Sequence, residues 1–277
     1  MSAVLTLVIV AVACLPADVR AAPVRRAMYV QNAGALLATP ATRDRLNAWI
    51  VRRRITDVIP YGLGPVLGTV ADRARTAAWI DELHRHGARV IAPIAGHDRL
   101  RAVDQMLAEN PRTWLDGLVT ELEFWNRPDR AIAFEELVAL IADMRIQAAL
   151  WLHGGKAMPV GAYLGYPTQT EAVRVAAAID FAYLDYSVRS PAGAWAHVHA
   201  TGGPLRQRFA WLAAAGVELW PIFYATGEVD MATALRGRGT SAAEAQFRAD
   251  LAADPELGKS GVTGFVYFTF EAMPEPR

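Results

Sequence analysis

The chain has 277 residues, enough for one large domain or two small ones. Its 28 Lys and Arg cancel 28 Asp and Glu, leaving a formal net charge of zero. That balance offers no basic field to nucleic acid and no basic face to an anionic membrane.

The N-terminus reads as a signal peptide over residues 1–22. Val4 to Val12 is an almost unbroken apolar run, Leu15-Pro16 breaks it, and Val19-Arg20-Ala21 places small residues at the cleavage spacing. The run is too short for a membrane-spanning helix of roughly 20 apolar residues. A secreted or periplasmic protein is expected, with a buried first strand as the alternative. Cys14 is the only cysteine and lies inside this segment. Cleavage after Ala21 or Ala22 leaves no thiol, hence no disulfide and no Cys-ligated metal. Val12-Ala13-Cys14 is also a partial lipoprotein box, so lipid anchoring through Cys14 stays open.

From residue 23 to 277 one rhythm repeats: a short β-rich run, a turn, then an amphipathic helix. The first strand reads Ala27 to Gln31, followed by a helix over Thr42 to Arg54. The second is Asp57 to Tyr61, with a helix from Asp72 to His86 stopped by Gly87. The third is Arg89 to Ile94, with a helix from Asp98 to Ala108. The fourth is Gly117 to Phe124, with a helix from Phe134 to Met144. Gln147 to Leu152 reads as the fifth strand, with a helix near Thr170 to Ala178. Phe181 to Tyr186 is the sixth, followed by a long loop and a helix over Leu205 to Ala215. Val217 to Phe223 is the seventh, with a helix near Ala242 to Ala252, and Gly264 to Phe270 is the eighth. Eight such pairs predict a single-domain (β/α)₈ TIM barrel of the α/β class, acting as a monomer. An open doubly wound sheet is disfavoured by the lack of a Gly-rich first turn.

The most informative stretch runs from Asp116 to Asn126. Strand side chains alternate faces, so Leu118, Thr120, Leu122 and Phe124 share one side. Val119, Glu121, Glu123 and Trp125 share the other, which would point into the barrel. Two like charges in a partly dry cavity resist joint ionisation, so one pKa should rise. A carboxyl that stays protonated near neutral pH is what a general acid for glycosidic cleavage needs. The bland alternative is a pair neutralised by Arg or Lys from another strand.

This stretch resembles the fourth-strand motif of glycoside hydrolase family 18, the chitinase and endo-β-N-acetylglucosaminidase barrels. That motif is Asp-x-x-Asp-x-Asp-x-Glu. Asp116 matches its first Asp, Glu121 stands at its third acidic position and Glu123 matches its final Glu. The resemblance implies that Glu123 protonates the leaving oxygen. It also implies that the residue two before it, Glu121, holds an N-acetyl group whose carbonyl oxygen is the nucleophile. Leu184-Asp185-Tyr186-Ser187 resembles the sixth-strand Met-x-Tyr-Asp, which implies that Tyr186 contacts the acetamido group. Trp220-Pro221-Ile222-Phe223-Tyr224 and Gly264 to Phe268 resemble later segments, with Phe268 where a pocket-floor tryptophan would be. Val119, Glu121 and Ser187 depart from the family pattern.

Gln31 and Asn32 follow strand one, Tyr61 ends strand two, Trp151 and His153 end strand five, and Tyr224 and Glu228 follow strand seven. With Trp125, Asn126 and Phe268 they offer aromatic platforms and amides suited to sugar rings. Asp185 is ambiguous. If Tyr183 and Asp185 face inward instead of Leu184 and Tyr186, Asp185 becomes a third catalytic carboxylate. His84 and His86 read as helix-end partners, and His197 and His199 lack an acidic cluster for a metal. The glycine loop of a phosphate site and the elbow of a serine hydrolase are both missing. The expected function is glycosidic cleavage in an N-acetylhexosamine-containing glycan, with Glu123 as general acid/base and no cofactor. Two readings stay open beside it: a non-catalytic carbohydrate-binding barrel, and a retaining glycosidase with Asp185 or Glu271 as nucleophile.

Overall fold

The structure is a computed structural model, and it describes residues 24–152, 154–186, 195, 198–199, 203–225, 240–257 and 261–273. The leader with Cys14, and His153, Ser187, His197 and Glu228, lie outside the described residues, as does the side chain of His199.

Eight strands close a barrel: β1 (Arg25–Val30), β2 (Asp57–Pro60), β3 (Arg89–Ile94), β4 (Gly117–Thr120), β5 (Val160–Leu164), β6 (Phe181–Asp185), β7 (Glu218–Tyr224) and β8 (Gly264–Phe268). Every neighbouring pair is parallel, and ring order follows chain order, with β8 closing on β1. The helices are α1 (Ala33–Ala38), α2 (Pro40–Arg53), α3 (Val70–Arg85), α4 (His97–Glu109), α5 (Arg130–Leu150), α6 (Gln169–Ala176), α7 (Leu205–Ala213) and α8 (Thr240–Ala252). The expected (β/α)₈ fold is therefore present. Among the described residues, no helix is long and apolar enough to cross a membrane.

Local signals account for the helix ends. Thr69 caps α3 by accepting from the Asp72 amide, and Gly87, at φ +81°, ends that helix in the left-handed region. Thr168 and Glu171 form a reciprocal capping box on α6. The strands are buried on both faces, as parallel strands under a helical layer must be.

One element differs from expectation. Gln147 to Leu152 is not a strand: α5 runs on to Leu150, and β5 is Val160–Leu164. Ala133, Leu137, Leu140, Ile141, Met144 and Ala148 are all buried, continuing one helical face to its end. The Gln-Ala-Ala-Leu segment prolongs that face with good helix formers. β5 carries Gly161 where a Cβ would lie 2.1 Å from the Phe181 ring of β6. The barrel needs a residue without a side chain there.

Alternation sorts the strand residues. Outward, Arg26 meets Glu244 of α8 at 2.7 and 2.9 Å, and Tyr267 donates to the same carboxylate. Inward at the N-terminal end, fully buried Asp57 pairs with Arg25 at 2.7 Å and Arg89 at 3.6 Å. Arg25 also lies 4.3 Å over the Trp220 ring. This charged cluster occupies the base of the barrel beside a small cavity of about 190 Å³ lined by Arg25, Arg89 and Trp220.

Candidate active site

β4 ends at Thr120, but its extended course goes on. The Glu121 amide donates to the Ile94 carbonyl at 3.0 Å, so pairing with β3 continues for one more residue. The chain then turns into the short helix Phe124–Asn126. This course leaves Glu121 and Glu123 on one side, in a cavity of about 270 Å³ at the mouth. Tyr29 and Gln31 line it from the β1 side, and Tyr61 from beyond β2. Tyr163 of β5, Ile222 and Tyr224 of β7 and Phe268 of β8 complete the wall.

The Tyr29 hydroxyl donates to the Glu121 carboxyl. Glu121 is half-buried in the cavity wall. Burial pushes its pKa up to about 8; the Tyr29 hydrogen bond lowers it, and the Glu123 charge raises it. Glu123 is exposed at the rim and accepts from the Asn126 side-chain amide at 2.7 Å. Among the described residues, neither glutamate makes an ion pair, which removes the neutralised-pair alternative.

Burial also raises the phenols of Tyr29, Tyr61, Tyr163 and Tyr224. The neighbouring carboxylates push in the same direction. All four hydroxyls therefore stay protonated at neutral pH. The Tyr163 and Tyr224 hydroxyls lie 2.9 Å apart, and Phe268 packs on Tyr29 and Tyr224 with centroids 5.3 and 5.0 Å away. The cavity is thus walled by aromatic surface, with the Glu121 carboxyl inside it and that of Glu123 at its rim. Among the described residues, no group of His, Cys, Asp and Glu is arranged to hold a metal.

Of the residues expected at the site, Glu121, Glu123, Gln31, Tyr61, Tyr224 and Phe268 line the cavity. Asn126 reaches it through Glu123. Trp125 stands behind the wall, edge-on to Tyr163 at 5.2 Å. The Asn32 side chain caps α1 instead, accepting from the Ala35 amide at 2.9 Å. The amides of Gln31 and Asn32 donate to the two Glu271 oxygens at 3.1 and 2.9 Å.

Three expectations are corrected. Tyr186 points outward: its hydroxyl donates to Asp250 of α8 at 2.9 Å, and its ring packs on Phe223 and Phe247. The β6 register puts Tyr183 and Asp185 inside. Asp185 is 6% exposed and hydrogen-bonded to the Tyr166 hydroxyl, behind the cavity wall. Trp151 follows α5 at the opposite end of the barrel, where its indole N–H donates to Asp104 at 3.0 Å. Asp116, first residue of the motif, is likewise remote. It sits below β4, accepting from the Val90 amide at 2.8 Å with His84 Nε2 at 2.9 Å.

Tyr29, Tyr163 and Ile222 line the cavity and are not among the residues expected from the sequence. Tyr29 was within reach, because it shares the alternating face of Ala27 and Gln31. Tyr163 was hidden by the misplaced fifth strand.

No protein-family model matches the chain, and no curated protein matches it. Solved structures do. A chitinase from Bacteroides thetaiotaomicron superposes with a TM-score of 0.50 at 11% identity, over 89% of this chain and 89% of that one. The catalytic domain of a β-amylase from Paenibacillus polymyxa superposes with a TM-score of 0.50 at 8% identity, over 91% and 94%. Both are glycoside hydrolase barrels. At such identities the likeness establishes the shared (β/α)₈ fold.

Proposed function

We propose that this chain is an exported glycoside hydrolase that cleaves a glycosidic bond in an N-acetylhexosamine-containing glycan. One observation carries the reading. Two carboxyls with no counter-charge among the described residues share an aromatic-walled cavity at the barrel mouth, and one of them is held largely protonated at neutral pH. The cavity's volume, about 270 Å³, is just under the roughly 300 Å³ at which typical ligand sites begin. One sugar ring is the natural occupant.

Glu123, at the rim, faces the scissile oxygen. The two carboxyls interact, so the proton near neutral pH belongs to the pair. When a sugar seals the mouth, Glu121 passes its proton to Glu123, which stands beside the leaving oxygen. Glu123 then protonates the leaving oxygen as the C–O bond breaks. The Glu121 carboxylate, now without the proton and held by the Tyr29 hydroxyl, accepts from the N–H of the N-acetyl group and orients it, and the carbonyl oxygen of that group attacks the anomeric carbon. Water, deprotonated by Glu123, opens the resulting ring and restores the pair. Both Glu271 oxygens already accept backbone amides, and Asp185 lies behind the wall. These contacts favour the substrate's own acetamido group over a protein carboxylate as nucleophile. The choice of sugar rests on the Asp116-to-Glu123 motif.

The test is turnover of chito-oligosaccharides and N-glycans by wild type, Glu123→Gln and Glu121→Gln. A loss on the order of 10²–10⁴-fold is expected for Glu123→Gln. Equal turnover would remove Glu123 from the mechanism. Saturable binding without product would instead make this a carbohydrate-binding barrel.

A further inference from the structure

The sequence marked Trp151 as an aromatic platform, and the structure moves it to the barrel's other end. There it borders a cavity of about 520 Å³, nearly twice the volume of the cup holding Glu121 and Glu123. The walls come from the end of α4, from the connection into β4 with Arg112 and Trp114, and from the turn after α5 with Trp151 and Leu152. All are segments that precede strands, so this cavity opens on the face opposite the cup.

Its two indoles are held in place. The Trp151 N–H is tied to Asp104 at 3.0 Å, which fixes the plane of the ring. Trp114 is stacked on His84, with centroids 4.1 Å apart and planes 6° from parallel. His84 is in turn held by Asp116 at 2.9 Å. Such rings bind without losing rotamer freedom, which favours affinity. Polar groups stand between them: Asp104 keeps a second carboxylate oxygen, and Arg112 is exposed at the rim. Leu152 is 59% exposed beside them. Fixed indole surface with a carboxylate and a guanidinium at its edge suits a pyranose, with its apolar C–H faces and hydroxyl rim. The volume lies inside the roughly 300–1,000 Å³ of ligand sites, enough for more than one ring.

We propose that this basal cleft is a second glycan-binding site, which holds a polysaccharide away from the cup. The choice of ligand rests on the glycosidase reading; the geometry of the cleft does not. The test follows the eight tryptophan indole N–H signals of ¹⁵N-labelled Glu123→Gln protein by NMR during titration with chitohexaose and with cellohexaose. The Trp114 and Trp151 signals are expected to shift saturably with one or both sugars. Trp151→Ala should abolish the Trp114 shift. Arg112→Ala, at an exposed position, should weaken binding about tenfold and decides the matter if Trp151→Ala does not fold. No saturable shift of either indole at millimolar sugar would overturn the proposal. Product formation by the wild type tests the cup separately. Its absence would sink the glycosidase reading and leave indole shifts in the basal cleft standing.

Discussion

The Tyr29 hydroxyl on β1 donates a hydrogen bond to the Glu121 carboxyl just past β4, reaching across the barrel interior between strands three apart in the ring. This bond sits where the two dominant influences on Glu121 oppose each other. Burial raises its pKa from the ordinary 4.5 to about 8, and the phenol's donation pulls the other way.

A carboxyl whose pKa is raised on folding binds its proton more tightly in the native state than in the unfolded chain. Glu121 therefore stabilises the fold fully below its unfolded pKa, near 4.5, and loses that contribution as pH rises through about 8. The loss is on the order of a few kcal/mol. Urea midpoints of the wild type should fall between pH 5 and pH 8. Glu121→Gln, which keeps an acceptor for Tyr29, should flatten that slope. Parallel slopes in the two proteins would show that Glu121 does not carry the proton.

Tyr29→Phe removes the donor and leaves the ring, which packs edge-on against Tyr61, Tyr183 and Phe268. The cost at neutral pH is about 1–3 kcal/mol, as for other unsatisfied buried polar groups. Glu121 then loses an influence that lowers its pKa, so its titration should move further up. Carboxyl-carbon NMR of selectively labelled Glu reads this directly, and a downward shift would contradict the arrangement described above.

Gly165→Ala tests the wall behind the cavity. A Cβ at position 165 would lie 2.7 Å from the Trp125 ring, which leans edge-on against Tyr163. The ring must move, at a cost of about 1–3 kcal/mol. Thermal unfolding should show a lowered midpoint, and near-ultraviolet circular dichroism should show a changed indole environment.

Tyr186→Phe separates the sequence resemblance from the structure. Only the bond to the Asp250 carboxylate is lost, worth about 1.5–3 kcal/mol. Glycan turnover should stay within about twofold of wild type, because Tyr186 faces α8 and not the cup. A hundredfold drop with unchanged stability would return Tyr186 to the mechanism.

Much of this was legible in the linear chain. The eight-fold strand–helix rhythm predicted the barrel, because apolar strands alternating with amphipathic helices form a parallel sheet under helices, and eight such pairs without a Gly-rich first turn favour closing that sheet into a ring. The two-residue period grouped Glu121 with Glu123, but β4 stops at Thr120, short of the expected Phe124, and the turn into the helix Phe124–Asn126 sets where Glu123 points. Absolute phase was beyond the sequence. Phe181 to Tyr186 fits either face equally well as a pattern, and pairing with β5 and β7 alone decided that Asp185 turns inward and Tyr186 turns to α8. The segment after Met144 could serve helix or strand, and packing of a continuous α5 face settled it, carrying Trp151 to the far end. The identity of the proton-bearing carboxyl was equally out of reach, since desolvation and the partner Tyr29 come from strands distant in sequence. Local periodicity is written in the order of residues; register, burial and the electrostatics they create exist only once the ring has closed.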